Sequence, residues 1–187
     1  LKAVYETVNH PQGGAVFVKN GKILLAKISI SPLKNVWHIP AGFVNPKKGD
    51  KNALDMAVRM IKSLTISDFN VVKELTAEGE ILEGINSADF SIKLGFFPAI
   101  FQAFEIKFQD EKLKFSDNAK MVRFEDIPNL KEGIHPILSQ IIKPYVKNKK
   151  LVEKIYERGE NTINSILKSK NYRRDMKDFY AKRIKKV

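Results

Sequence analysis

At 187 residues, 43% hydrophobic and 10% aromatic, the chain carries enough apolar material for one packed core with an extension. That excludes a wholly disordered protein and leaves little room for two ordinary domains. The formal charge of +12 is unevenly placed: residues 143–187 hold 15 Lys/Arg against 5 Asp/Glu, leaving 18 against 16 in residues 1–142.

The chain has no cysteine, which excludes disulfides and thiolate zinc sites. His10, His38 and His135 lie far apart without metal-ligand spacing, so structural roles are expected for them. No apolar run approaches the roughly 20 residues that span a bilayer. Residues 1–11 lack the apolar stretch of a signal peptide. A soluble, intracellular protein of the cytoplasm or mitochondrial matrix is expected. The chain starts at Leu1 without Met, which leaves open a targeting segment removed ahead of it.

In chain order, Gly13 to Val18 and Ile23 to Lys27 are apolar stretches around Lys19-Asn20-Gly21-Lys22. Asn-Gly suits a tight hairpin because both central residues need positive φ. Ser29 to Asn35 reads as a loop, and Val36 to Val44 as strand interrupted by Pro40 and Gly42. A turn follows over Asn45 to Gly49. From Asp50 to Leu64, Ala53, Met56, Ala57, Met60, Ile61 and Leu64 recur every three or four residues, predicting an amphipathic helix capped by Asp50.

Strands are predicted over Asp68 to Leu75, Glu80 to Leu82, Phe96 to Phe108 and Met121 to Phe124. A helix is predicted over His135 to Tyr145, with Pro136 in its first turn. The fold class predicted is α/β (α+β), a mixed sheet sandwiched between helices. Residues 1–146 form this body, and residues 147–187 form a basic amphipathic helical extension. In the extension, Leu151, Val152, Ile155, Tyr156, Ile163, Ile166 and Leu167 line one helical face, with Gly159 a weak point. A second helix places Tyr172, Met176, Phe179, Tyr180 and Ile184 opposite Arg173, Arg174, Lys177, Lys182 and Arg183.

Trp37-x-x-Pro40-Ala41-Gly42, a turn, and then Asp55-Met56-Ala57-Val58-Arg59-Met60-Ile61-Lys62-Ser63-Leu64 resemble the Nudix box, the loop–helix motif of the Nudix hydrolase superfamily. Gly13 to Val18, Met121 to Pro128 and Gly133 to Pro136 are similar to the family too, so the resemblance covers roughly residues 12–145. It implies a Nudix-like fold and hydrolysis of nucleoside diphosphate derivatives. The family's glutamates hold Mg²⁺ from one helical face, since residues three and four apart are neighbours there.

Aligned on Arg59, the three glutamate positions hold Met60, Ser63 and Leu64, none of which is a carboxylate ligand. The upstream acid falls near Asp50 or Lys51, and the closing glycine falls at Ile66. The box positions singled out are therefore Gly42, Arg59, Met60, Ser63 and Leu64, with no catalytic residue and no metal ligand among them. In the family the arginine buttresses a metal-binding glutamate; here a surface or helix-packing role is expected for Arg59. Asp50 and Asp55 are expected as acids favouring the helix N-terminus. Lys47, Lys48 and Lys51 crowd the loop where the family places acids, and can meet phosphate directly or stand as a solvated turn.

These residues lead to a non-catalytic Nudix-fold protein that binds RNA or nucleotide phosphates, or belongs to a ribonucleoprotein, and has no cofactor. Its phosphate contacts are expected at Lys47, Lys48, Lys51, Arg173, Arg174, Lys177, Lys182 and Arg183. Degenerate members of the superfamily found in RNA-processing and mitoribosomal assemblies are similar in keeping the fold and eroding the box. One alternative is an active, Mg²⁺-dependent Nudix diphosphate hydrolase with ligands outside the box, from the acidic stretch Glu74, Glu78, Glu80 and Glu83. Another is a protein-docking or membrane-surface module using the C-terminal helices.

Overall fold

Strict alternation along the central strands sets the layers. In the computed structural model, which describes residues 12–75 and 101–183, strand β3 (Lys22–Lys27) sends Ile23 and Leu25 into one apolar cluster and Leu24 and Ala26 into another. Strand β1 (Gln12–Val16) divides Val16 from Ala15 in the same way. Strand β7 (Phe101–Phe108) divides Phe101 and Ala103 from Phe104 and Ile106. The second cluster is roofed by helix α1 (Ala53–Leu64) through Ala53, Met56, Ala57, Ile61 and Leu64. The first is roofed by helix α2 (Leu138–Ile141) and helix α3 (Lys149–Lys168) through Leu138, Ile141 and Ile155. Sheets between helices, as the order of elements predicts, are what the chain builds.

Two four-stranded sheets form this middle layer. The first runs β5-β1-β7-β6, with β5 as Ala41–Phe43 and β6 as Phe69–Glu74; β1 and β7 are parallel and the other pairs antiparallel. The second is antiparallel: β2 (Val18–Lys19), β3 and β4 (Trp37–His38), with β8 (Ala119–Arg123) also paired to β3. The strand expected over Gly13 to Val18 is thus two, because the chain leaves one sheet at Phe17 and enters the other. Asn20 and Gly21 take φ of 51° and 70°, the turn geometry that Asn-Gly predicts. The stretch from Val36 to Val44 also splits, at Ile39-Pro40, and the Pro40 carbonyl accepts from the Ala15 N–H.

Three expectations are corrected. The N-cap of α1 is Asn52, whose side chain accepts from the Asp55 N–H at 2.9 Å; Asp50 stands outside the helix. The Asp55 carboxylate reaches back to accept from the Lys51 N–H, one residue before the cap, at 2.8 Å. The helix over His135 to Tyr145 contracts to Leu138–Ile141: no side chain caps its start, and beyond it Lys143 and Tyr145 donate to the carbonyls three residues back, Gln140 and Ile142, as in tight turns. Gly159, a weak point by propensity, sits where a Cβ would lie 2.5 Å from Pro136 Cα, so the residue lets α3 approach the body.

Strand β6 lies within Asp68 to Leu75, and β8 begins two residues before Met121. The strand predicted over Glu80 to Leu82 and residues 96–100 of the next lie outside the described residues. Helix α3, capped by Asn148, buries Ile155 and Ile163, and the Thr162 hydroxyl accepts from the buried Ile134 N–H at 3.1 Å. Arg158 donates to the Leu130 carbonyl at 2.8 Å. Helix α4 (Tyr172–Arg183) follows, with Met176 buried.

Candidate functional site

The helix face that would carry carboxylates is occupied otherwise. Leu64 is only 9% exposed and packs in the cluster beneath α1, with Met60 half-buried against it. Ser63 is exposed and its hydroxyl donates to the Met60 carbonyl at 2.6 Å. A core isobutyl group, a thioether and a hydroxyl engaged on its own helix do not fit a hard divalent cation. Among the described residues no cluster of three or more His, Asp or Glu could hold a metal ion. Gly42 lies against the same helix, for a Cβ there would meet Met56 Cε at 2.0 Å.

Asp50 and Arg59 form a pair that replaces both roles expected of them. Arg59 Nε donates to Asp50 Oδ1 at 2.7 Å and its Nη2 to Oδ2 at 2.6 Å, a bidentate fork. The Asn45 N–H adds a third bond to Oδ2 at 2.8 Å. Asp50 is 4% exposed; the Arg59 hydrogen bonds hold its carboxyl below the usual carboxylate range, against the opposing effect of burial. Arg59 is raised in turn by Asp50. The arginine clamps the box loop onto α1.

Lys47 and Lys48 lie in a 3₁₀ turn over Pro46–Lys48 that Asn45 caps, and Lys51 lies just before α1; all three are exposed. Among the C-terminal cations, Arg173, Arg174 and Lys177 are exposed on α4, and Arg174 approaches Asp175 at 3.7 Å. Lys182 and Arg183 belong to the last turn of that helix. The loop lysines and the α4 cations are therefore carried by separate elements. Of the acidic stretch, Glu74 accepts from Gln102 at 2.9 Å, while Glu78, Glu80 and Glu83 lie outside the described residues.

Two clusters escaped the sequence because their members are distant along the chain. Trp37 donates through Nε1 to Glu132 at 3.0 Å, Lys27 pairs with the same carboxylate at 3.0 Å, and Lys27 and Lys120 place Nζ 5.1 and 4.6 Å from the indole centre. The Trp37 and Lys27 bonds draw Glu132 down to about 2. His38 and His135, read as separate, stack with ring centres 4.2 Å apart. Burial, then the neighbouring His135, lowers His38 well below the ordinary imidazole value, and burial brings His135 to about 4. His38 Nδ1 is buried without a hydrogen-bond partner among the described residues.

No protein-family model matches the chain, and no curated protein does. Solved structures do. A Nudix hydrolase from Nitrosomonas europaea is similar over 82% of this chain and 71% of its own, at 11% identity and a TM-score of 0.42. An ADP-ribose pyrophosphatase from Streptococcus suis is similar over 86% and 93%, at 12% identity and a TM-score of 0.42. A C. elegans Ap4A hydrolase is similar over 79% and 96%, at 17% identity and a TM-score of 0.40. At such identities and TM-scores these likenesses carry no argument about activity, which rests on the residues. Among the described residues no helix is long and apolar enough to cross a membrane.

Proposed function

We propose that this chain is a Nudix-like scaffold that binds the phosphates of RNA or nucleotides, free or within a ribonucleoprotein, and does not hydrolyse them. The observation that carries the reading is the face of α1: Leu64 is in the core, Met60 is packed beside it, and Asp50, an acid of the box loop, is held by Arg59. Exposed Lys47, Lys48 and Lys51 on the loop, and Arg173, Arg174 and Lys177 on α4, supply positive charge that needs no metal to meet a phosphate.

Titration of a labelled single-stranded RNA at rising salt tests the proposal. Binding that weakens steeply between about 50 and 200 mM salt is expected, since counterions are released from each neutralised phosphate. Absence of binding at low salt, or affinity indifferent to salt, rejects it. Flotation with anionic vesicles in place of RNA binding would support the membrane-surface alternative.

A further inference from the structure

The register of the second sheet lines up three cations. Lys19 on β2 is the direct partner of Lys22 on β3, and Lys22 is the direct partner of Arg123 on β8. Direct partners share a sheet face, and neighbouring strands lie about 4.8 Å apart, so this rung carries three positive charges across about 10 Å. Like charges directly opposite destabilise a sheet. Among the described residues none of the three forms an ion pair. Lys19 and Arg123 are exposed and Lys22 half-buried.

Lys120, paired with Leu25, faces the other side of the sheet, over the Trp37 ring. Lys22, Lys120 and Arg123 line one shallow cavity of about 240 Å³, floored by Met121, Val122 and Leu130, with Asp126 as its acid. The cavity wall is therefore held by paired strands, unlike the loop lysines, and the cost of repulsion is built into the sheet register. At that spacing a single small anion would span two neighbours of the rung, and a chain of linked phosphates would be needed to reach all three.

We infer that the Lys19–Lys22–Arg123 rung is a binding site for a chain of phosphates. Single-stranded RNA backbone and short inorganic polyphosphate share that chemistry. The inference rests on the phosphate-binding reading above and gives it a place on the sheet, separate from α4.

The test uses the full chain as wild type, the variant K19Q/K22Q/R123Q, the charge-preserving variant K19R/K22R, and an α4 variant R173Q/R174Q/K177Q. Each is titrated with a fluorescein-labelled 20-nucleotide oligouridylate and, by calorimetry, with tripolyphosphate. The glutamine variant is expected to lose about tenfold or more in RNA affinity and, at about 0.7 per contact, to flatten the salt slope by about 2. Tripolyphosphate binding falls with it, K19R/K22R binds like wild type, and the glutamine variant melts no lower than wild type once the repulsion is gone. A glutamine variant that binds both ligands like wild type overturns this site; if the α4 variant then loses RNA, the reading of the previous subsection stands without it. Tripolyphosphate bound through the rung with no RNA binding keeps the site and removes RNA as ligand. No binding of either ligand by wild type overturns both.

Discussion

Asp50 shows how little a box position says until its partner is known. Its carboxylate takes two bonds from Arg59 and one from Asn45, nearly out of solvent. Asp50→Asn should cost about 2 kcal/mol in urea unfolding, because a half-buried guanidinium loses its counter-charge. The double variant D50N/R59M should recover part of that loss, since neither charge is then left alone. Equal stability of wild type and D50N would mean the clamp holds nothing. The histidine pair predicts a different pH signature. His38 and His135 titrate below 6.5 in the folded protein, so the unfolded chain binds protons first as pH falls. Their contribution is whole above about pH 6.5 and is lost as pH falls toward about 4. The urea midpoint should drop through that window, and His38→Phe should make the drop shallower; a flat midpoint in wild type would contradict the burial of the pair.

Helix α3 carries the clearest prediction among the elements. By propensity alone Gly159→Ala should stabilise a helix by about 1 kcal/mol. Here a Cβ meets Pro136 Cα at 2.5 Å and Pro136 N at 3.1 Å, backbone atoms that do not step aside. The substitution should therefore destabilise by about 1–3 kcal/mol in thermal or chemical unfolding; a stabilised variant would show that α3 does not dock as described. Elements were legible where one local pattern governs them. The period of α1, the Asn20-Gly21 turn and the alternation of β7 each speak within a few residues. Reading failed where tertiary contacts decide. The Asn52 cap is the exception, a local Asn-x-x-Asp signal, but nothing local tells that Phe17 separates two sheets, or that Pro136 serves as a seat for α3 instead of a helix start.

For the whole molecule, α3 is bound into the structure by Ile155, Ile163, Thr162 and Arg158. Charge substitutions on α4 thus probe binding more cleanly than removal of residues 147–187, which also strips cover from Ile134 and Leu138. The absence of carboxylates from the α1 positions Met60, Ser63 and Leu64 was visible in the sequence. The Asp50–Arg59 clamp, the Trp37 cluster and the histidine stack were not, because residues 9 to 105 apart in sequence meet only after folding. The central claim, a phosphate-binding scaffold without hydrolysis, is tested most directly by looking for cleavage of the diphosphate link, read as the nucleotide products formed. ADP-ribose, Ap4A, a UDP-sugar and capped RNA should each be incubated with the full chain and Mg²⁺ or Mn²⁺. No product above the protein-free rate is predicted for any of them; metal-dependent turnover of one, abolished by Glu74→Gln, would contradict the claim and place the ligands outside the box.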